Sequence, residues 1–517
     1  MPADRSNTDN ATDSSRRASP LGQSSPLGQS SPLGQTSPLG RASPLGQAPP
    51  LGQAPPLGHT PPLAARLAAF CRAASWESLP SLVQERARLH ALDSLGLALA
   101  SHTQDFAAPA LAGIAAIAGP GECTVIGDER LLAPRDAALA NGLLIHGLDY
   151  DDTHPASIVH PSVVGLPAAL AIGEQLDTSW TDVLTAYVIG VEVAIRIGAA
   201  VQGGFHHAGF HATGIVSHFG AGLAAGKLLG LDESQLVAVQ GIAASTASGV
   251  QVFLEEGAWS KRLHPGWGAL AGITAAHLAR CGFIAPTRPY EGKFGLFESH
   301  LHGTTPVPDK MVEGLGERWH LPETAIKPYP VCHFIHGCLD AALDLHGKFQ
   351  LGDVERVIAW LAKDTLPIVA EPPEAKQRAA TEYEAKFSAQ FVVAKALQCG
   401  HFGLAELTPA ALSDSVTKNL AAKVICRADP ETQFPTYFSG GVTVVLKDGR
   451  ELHRHVPINK GAGPRALSAE DIQSKFRANA LLRLDERHTE RALEAIMCPD
   501  PIPVRSVMQT LRIPNRQ

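Results

Sequence analysis

Eight cysteines are scattered through 517 residues with no C-x-x-C pair among them. That removes the spacing of a zinc ribbon, an iron–sulfur module or a dithiol redox site, and leaves reduced thiols, the state of a cytoplasmic protein. Charge is sparse too, at 18% of residues, and no cluster of Lys or Arg offsets the net charge of −7. A general nucleic-acid surface is therefore excluded. No run of 18 apolar residues is free of charge, since the most apolar stretch, 183–201, carries Glu192 and Arg196. That argues against a membrane span. Neither an H-E-x-x-H pattern nor regular ligand spacing is present, which disfavours a metal centre.

What the chain does have is a hydrophobic content of 45% and length for two or three domains. Residues 1–61 stand apart as a polar leader followed by an approximate hexapeptide, SPLGQ[STA], with proline every six residues from Pro20 to Pro62. One leucine per repeat buries too little to offset chain ordering, and glycine every sixth residue is not the collagen period. The leader lacks the apolar core of a secretory signal and places Asp4, Asp9 and Asp13 beside its arginines, against an organelle-targeting role. A disordered tail or spacer is expected, with docking of its Pro-rich segments to a partner as the alternative.

From residue 62 to about 320 the apolar spacing is almost entirely helical, over 82–100, 107–118, 135–148, 161–176, 181–200, 213–229, 233–248 and 267–281. These helices are rich in Ala and Gly, so a tight multi-helix domain is expected. Residues 321–465 change texture: 354–361 alternates like a strand, 384–396 is helical, 408–412 and 413–420 are short helices, 424–426 is a strand, and 441–446 with 451–456 reads as a hairpin turned by Asp448-Gly449. That describes a smaller α+β domain. Residues 466–517 return to helix and are expected to pack back on the first domain.

The densest polar stretch is NGLLIHGLDYDDTHPASIVHPS, 141–162, which holds Asp149, Asp151, Asp152, His146, His154, His160, Thr153 and Ser162 between two apolar helical patterns. Buried carboxylates and imidazoles are costly unless paired, so this is either a rigid hydrogen-bonded corner or a chemical site. Three further spots concentrate reactive side chains. GFHATG, with His211, enters a helix whose first backbone N–H groups can hold a carboxylate. WSKRLHPGWG brings Lys261, Arg262 and His264 ahead of another helix. KPYPVCHFIH, with Cys332 and His336, lies at the domain boundary, where small-molecule sites form. His154, His206 and His207 read as solvated or loop-packing, and Cys332 alone as a small core residue.

In this order the motifs DYDDTH…HPS, FHATG, SKRLHPG and KPYPVC resemble the MmgE/PrpD family, from about Leu63 to the C-terminus. Its members include 2-methylcitrate dehydratases, cis-aconitate decarboxylases and an iminodisuccinate epimerase. The resemblance implies a mainly α protein, a large all-helical domain with a smaller α+β lid, and a homodimer. It places Asp149, Thr153, His160, His211, Lys261 and the Cys332–His336 segment around one cleft. The shared chemistry moves a proton beside a carboxylate and needs no cofactor. His160 is then the general base or acid, with Asp149 orienting a histidine and stabilising its cation. Lys261, His211 and Thr153, with Arg262 and His264, bind carboxylates and stabilise enediolate-like charge, and His211 or His336 is a second acid. The expectation is a lyase for a citrate-like di- or tricarboxylate, foremost a hydro-lyase of the 2-methylcitrate dehydratase kind. A cis-aconitate decarboxylase, a dicarboxylate epimerase and a non-catalytic carboxylate binder follow in that order.

Overall fold

Glycines set how closely the helices of the first domain cross. The computed structural model describes residues 61–513, so the expected repeat tail lies outside the described residues but for its last position. The longer helices of the domain are α1 (Leu63–Ala73), α2 (Ser81–Ser101), α3 (Ala107–Ile117), α4 (Pro134–His146), α5 (Ser162–Leu176), α6 (Trp180–Val201), α7 (Ala212–Leu228), α8 (Glu233–Thr246) and α9 (Ser260–Arg280). Helix α9 runs between α4 and α7 with backbone nearly touching backbone. A Cβ on Gly142 of α4 would stand 2.6 Å from Gly266 Cα, and one on Gly272 would stand 2.5 Å from the Gly222 nitrogen of α7. This seam fixes the N-terminus of α9 against the C-terminus of α4.

Helix α6 is the one described helix long and apolar enough to cross a membrane, yet 94% of its apolar window is buried in the fold. Its two buried charges have internal partners. The Glu192 carboxylate accepts the backbone N–H groups of His320 and Leu321 at 2.6 and 3.1 Å, while Arg196 donates to the carbonyls of Glu313, Gly314 and Arg318. Buried charge thus ties the chain leaving the helical domain to its most buried helix.

The smaller domain is built on a four-stranded sheet ordered β4-β3-β5-β6, from β3 (Val354–Leu361), β4 (Val424–Ala428), β5 (Gly440–Leu446) and β6 (Glu451–Val456). β3 and β4 are parallel and the other pairs antiparallel. Two helices, α10 (His336–Leu345) and α11 (Ala389–Cys399), cover it and share its apolar core. The short strands β1 (Pro120–Thr124) and β2 (Leu131–Leu132) pair within the helical domain. Helices α12 (Ala469–Ala480), α13 (Glu486–Met497) and α14 (Val504–Thr510) return to that domain, and Phe476 of α12 lies against Gly96 of α2.

Several elements differ from their sequence reading. Helices α1 and α14 are additional. The helix expected over 384–396 is two, Glu382–Lys386 and α11, because Ser388 breaks the run and caps the second by accepting the Phe391 N–H at 2.9 Å. KRLHPG does not precede α9 but forms its first two turns, with Pro265 inside the helix. In the hairpin only Gly449 takes a positive φ.

The α4–α9 seam leaves no room for a methyl group, since a Cβ on Gly266 would lie 2.4 Å from the Leu139 carbonyl. Gly266→Ala is expected to lower unfolding free energy by about 2 kcal/mol in urea titrations. Gly113→Ala, in open space on α3, should be neutral or stabilising by less than about 1 kcal/mol.

Candidate active site

The three aspartates of 149–152 have three separate employments. Asp152 is structural: its carboxylate takes the His90 Nδ1–H at 2.5 Å and the Ser162 N–H at 3.1 Å, and it also receives the Ser162 hydroxyl, anchoring the start of α5. Asp151 is fully buried and holds His146 Nδ1 at 2.7 Å. Asp149 faces a cavity of about 70 Å³, lined also by Thr153, Ile158, His160, His206, His211, Gln251, Phe253, Lys261, Lys327, Cys332, His333 and Phe387. The stretch is therefore at once a hydrogen-bonded corner and one wall of a pocket.

Asp149 Oδ1 receives two ammonium groups, Lys261 Nζ at 2.9 Å from the first turn of α9 and Lys327 Nζ at 3.1 Å from the segment linking the domains. His160 Nε2 is 3.8 Å from the same oxygen. Burial pushes the Asp149 carboxyl up, but Lys261 and Lys327, followed by His160 and His146, hold it well below the usual carboxylate range. It is an anion at every physiological pH. Its backbone is in the left-handed region at φ 50, a conformation that costs a non-glycine residue about 1 kcal/mol or more. Ile158, whose branched side chain suits that region even less, has φ 53 and lines the same pocket.

His160 is held from three sides. Its N–H donates to Thr213 Oγ1 of α7 at 3.1 Å, Nδ1 lies 2.9 Å from the Asp152 carbonyl oxygen, and Thr153 Oγ1 is 3.4 Å from Nδ1. With Nδ1 engaged by a carbonyl, Nδ1 carries the proton and Nε2 is the free base. Burial, then the lysines and His146, lower its pKa to about 3, against the opposing pull of Asp151. His211, at the N-cap of α7, pairs Nδ1 with His264 Nδ1 at 3.1 Å, and His146 stacks on it at 5.5 Å. Burial holds His211 and His333 well below the usual imidazole range, and His206 and His264 at about 4. The pocket is thus walled by neutral imidazoles facing two ammonium groups and one carboxylate. Burial also pushes the Cys332 thiol up to about 11, so it presents no thiolate.

The expected residues divide accordingly. Asp149, Thr153, His160, His211, Lys261 and Cys332 line one cavity. Three others do not. Arg262 turns away to an ion pair with Glu382 at 2.9 Å, its guanidinium 4.3 Å over the Phe106 ring, and so pins the two domains together. His264 backs His211. His336 is fully buried with Nε2 3.3 Å from the Val331 carbonyl oxygen, and His333 takes the place in the wall that His336 was expected to hold. Asp149 also departs from its expected part, since its close partners are lysines while Asp151 orients His146. Sequence reasoning passed over Lys327, although it opens KPYPVC, and assigned His206 to loop packing. A lysine two residues before a buried Tyr-Pro is the signal that could have marked the first; nothing in GGFHHAGF distinguishes His206 from His207.

The MmgE/PrpD N-terminal domain model matches residues 65–309 and the MmgE/PrpD C-terminal domain model matches residues 329–500. The chain is 27% identical over 440 residues to the cis-aconitate decarboxylase-like protein oryM of Aspergillus oryzae, covering 81% of this chain and 90% of that one. It is 31% identical over 284 residues to the cis-aconitate decarboxylase of Aspergillus terreus, covering 53% and 58%. It is 28% identical over 392 residues to the cis-aconitate decarboxylase of Homo sapiens, covering 74% and 79%.

The depressed histidines carry a stability signature. As pH falls below 6.5, unfolded imidazoles take up protons that His160, His206, His211, His264, His333 and His336 cannot bind in the fold. The unfolded state then binds more protons, and stability drops by up to about 1.4 kcal/mol per pH unit for each such group. The raised carboxyls of Asp93, Glu174, Glu192 and Asp340 act in the opposite sense but are fewer. The urea midpoint is expected to be clearly lower at pH 5.5 than at pH 7; equal midpoints would contradict the neutral-imidazole wall.

Proposed function

Because the chain belongs to the MmgE/PrpD family, we propose that this lyase removes carbon dioxide from an unsaturated tricarboxylate of the cis-aconitate kind without a cofactor. The observation that carries the reading is the meeting of Lys261, Lys327 and the free Nε2 of His160 around one buried carboxylate in a small cavity. Two fixed, buried cations lining a pocket bind carboxylates and stabilise negative charge as it develops. The relatives named above are cis-aconitate decarboxylases or decarboxylase-like proteins, and this supports taking decarboxylation before the hydro-lyase expected from the motifs.

The reaction balances with side chains alone. The bond to the departing carboxyl group breaks, its electron pair forms a new methylene double bond, and the pair of the old double bond moves to the carbon beside a remaining carboxylate. One proton must arrive there. His160 delivers it after taking it from solvent: a bound polyanion adds negative charge next to the ring and raises its pKa toward the range in which imidazole exchanges protons. Lys261 and Lys327 hold the carboxylate that receives the charge, and Thr153 orients the ring. Hydration and dehydration form the second reading, favoured by His211 on the same wall, because loss of a hydroxyl group requires a second proton donor.

Proton NMR of the chelator-treated protein in deuterium oxide, with cis-aconitate, citrate, 2-methylcitrate and iminodisuccinate, separates these outcomes. A methylene product with carbon dioxide release is expected. Interconversion of hydroxy acid and alkene selects the hydro-lyase, deuterium entry without a new compound selects an epimerase, and silence on all four removes the enzymatic reading. His160→Ala should lower kcat by about 10²- to 10⁴-fold with the circular dichroism spectrum unchanged. Turnover surviving that substitution would rule out His160 as the proton carrier.

A further inference from the structure

Three successive backbone carbonyls, those of Leu148, Asp149 and Tyr150, belong to buried residues. Among the described residues none of them accepts a backbone N–H. Each receives a lysine ammonium group from a different part of the chain. Lys386, fully buried in the α+β domain, donates to the Leu148 carbonyl at 2.6 Å. Lys327, in the linking segment, donates to the Asp149 carbonyl at 2.8 Å as well as to its carboxylate. Lys475, on α12, donates to the Tyr150 carbonyl at 3.1 Å and to the carbonyl of Lys327 itself at 2.9 Å.

The outer two lysines are themselves anchored. Lys386 pairs with Glu382, whose other oxygen takes Arg262, the neighbour of Lys261 in α9. Lys475 pairs with Asp93 of α2 at 2.7 Å and lies 3.8 Å over the Tyr150 ring, whose hydroxyl donates to the Pro328 carbonyl at 2.9 Å. Neither side chain lines the pocket. A buried carbonyl needs a donor, and a left-handed aspartate persists only where its surroundings overdetermine it. An ammonium group meets both needs, with three donors and a charge in a dry site.

We infer that Lys386 and Lys475 are positioning residues, which hold the strained turn at Asp149 so that its carboxylate meets Lys261, Lys327 and His160. Neither touches the reacting acid. Their effect runs through the placement of Asp149, and the site is complete only when the α+β domain and α12 are both docked.

The test compares Lys475→Met, Lys475→Arg and Phe476→Leu in the full chain. Phe476 is the neighbouring core residue and reports plain loosening of α12. Hydrogen exchange of peptides spanning 144–154 is the first readout. Lys475→Met should speed exchange over 148–151 at least tenfold with α2 still protected, whereas Phe476→Leu should leave 148–151 unchanged. The second readout rests on the lyase reading above: kcat should fall at least tenfold in Lys475→Met with KM within threefold, and Lys475→Arg should restore kcat to within threefold. Unchanged exchange over 148–151 in Lys475→Met overturns the inference, as does a kcat loss of the same size in Phe476→Leu. A parent protein that turns over no tricarboxylate defeats the proposed reaction and leaves the exchange experiment to decide the clamp.

Discussion

The arrangement depends on one anion, the buried Asp149 carboxylate, held between two buried ammonium groups on the wall of a small cavity. A lone buried carboxylate would take up a proton, and a pair of buried ammonium groups would shed one. Together they keep their charges, and the excess cation is then available to an incoming acid. His160, His211 and His333 respond to the same field. His160 and His211 stay neutral because they sit in a dry place already occupied by positive charge. In the proposed reaction polyanion binding reverses that bias, so that His160 becomes competent to move a proton only once the acid is bound.

The fold serves this contact by controlling two distances. Glycines along α4, α7 and α9 let α9 approach until its first turn delivers Lys261 to the end of α4. Glu192 and Arg196 then tie the linking chain to α6, which sets where Lys327 begins its path toward Asp149. A side chain at the glycine seam would push α9 away from α4 and carry Lys261 with it.

Much of this could be read in the sequence. Helical periodicity located α2 to α8 to within a few residues, because apolar spacing is a local property, but it missed α1 and the first two turns of α9. The alternation in 354–361 and the turn at Gly449 located the sheet for the same reason. Four short motifs brought together Asp149, His160, His211, Lys261 and Cys332, and those do share a cavity. What could not be read is which way neighbouring side chains turn. Arg262 follows Lys261 in the chain, but a helix places consecutive residues about 100° apart, so one faces the pocket and the other Glu382. His333 and His336 straddle the change from a 3₁₀ turn to α10, and that change decides which ring meets the cavity. Lys386 and Lys475 carry no motif at all. Their importance comes from tertiary contact across 238 and 325 residues of sequence.

Those separations bear on how the protein is made. A ribosome releases α1 to α9 long before it reaches Lys475, and the helical domain has a core of its own on which to collapse. Asp149 and His160 are therefore present while the turn at Asp149 still lacks all three of its lysine clamps, Lys327, Lys386 and Lys475. A chain interrupted between α11 and α12 contains the chemistry-bearing side chains of the pocket and lacks one of the clamps proposed to hold them. On that proposal the emergence of α12, more than the presence of the motifs, marks the moment at which the turn at Asp149 is fixed.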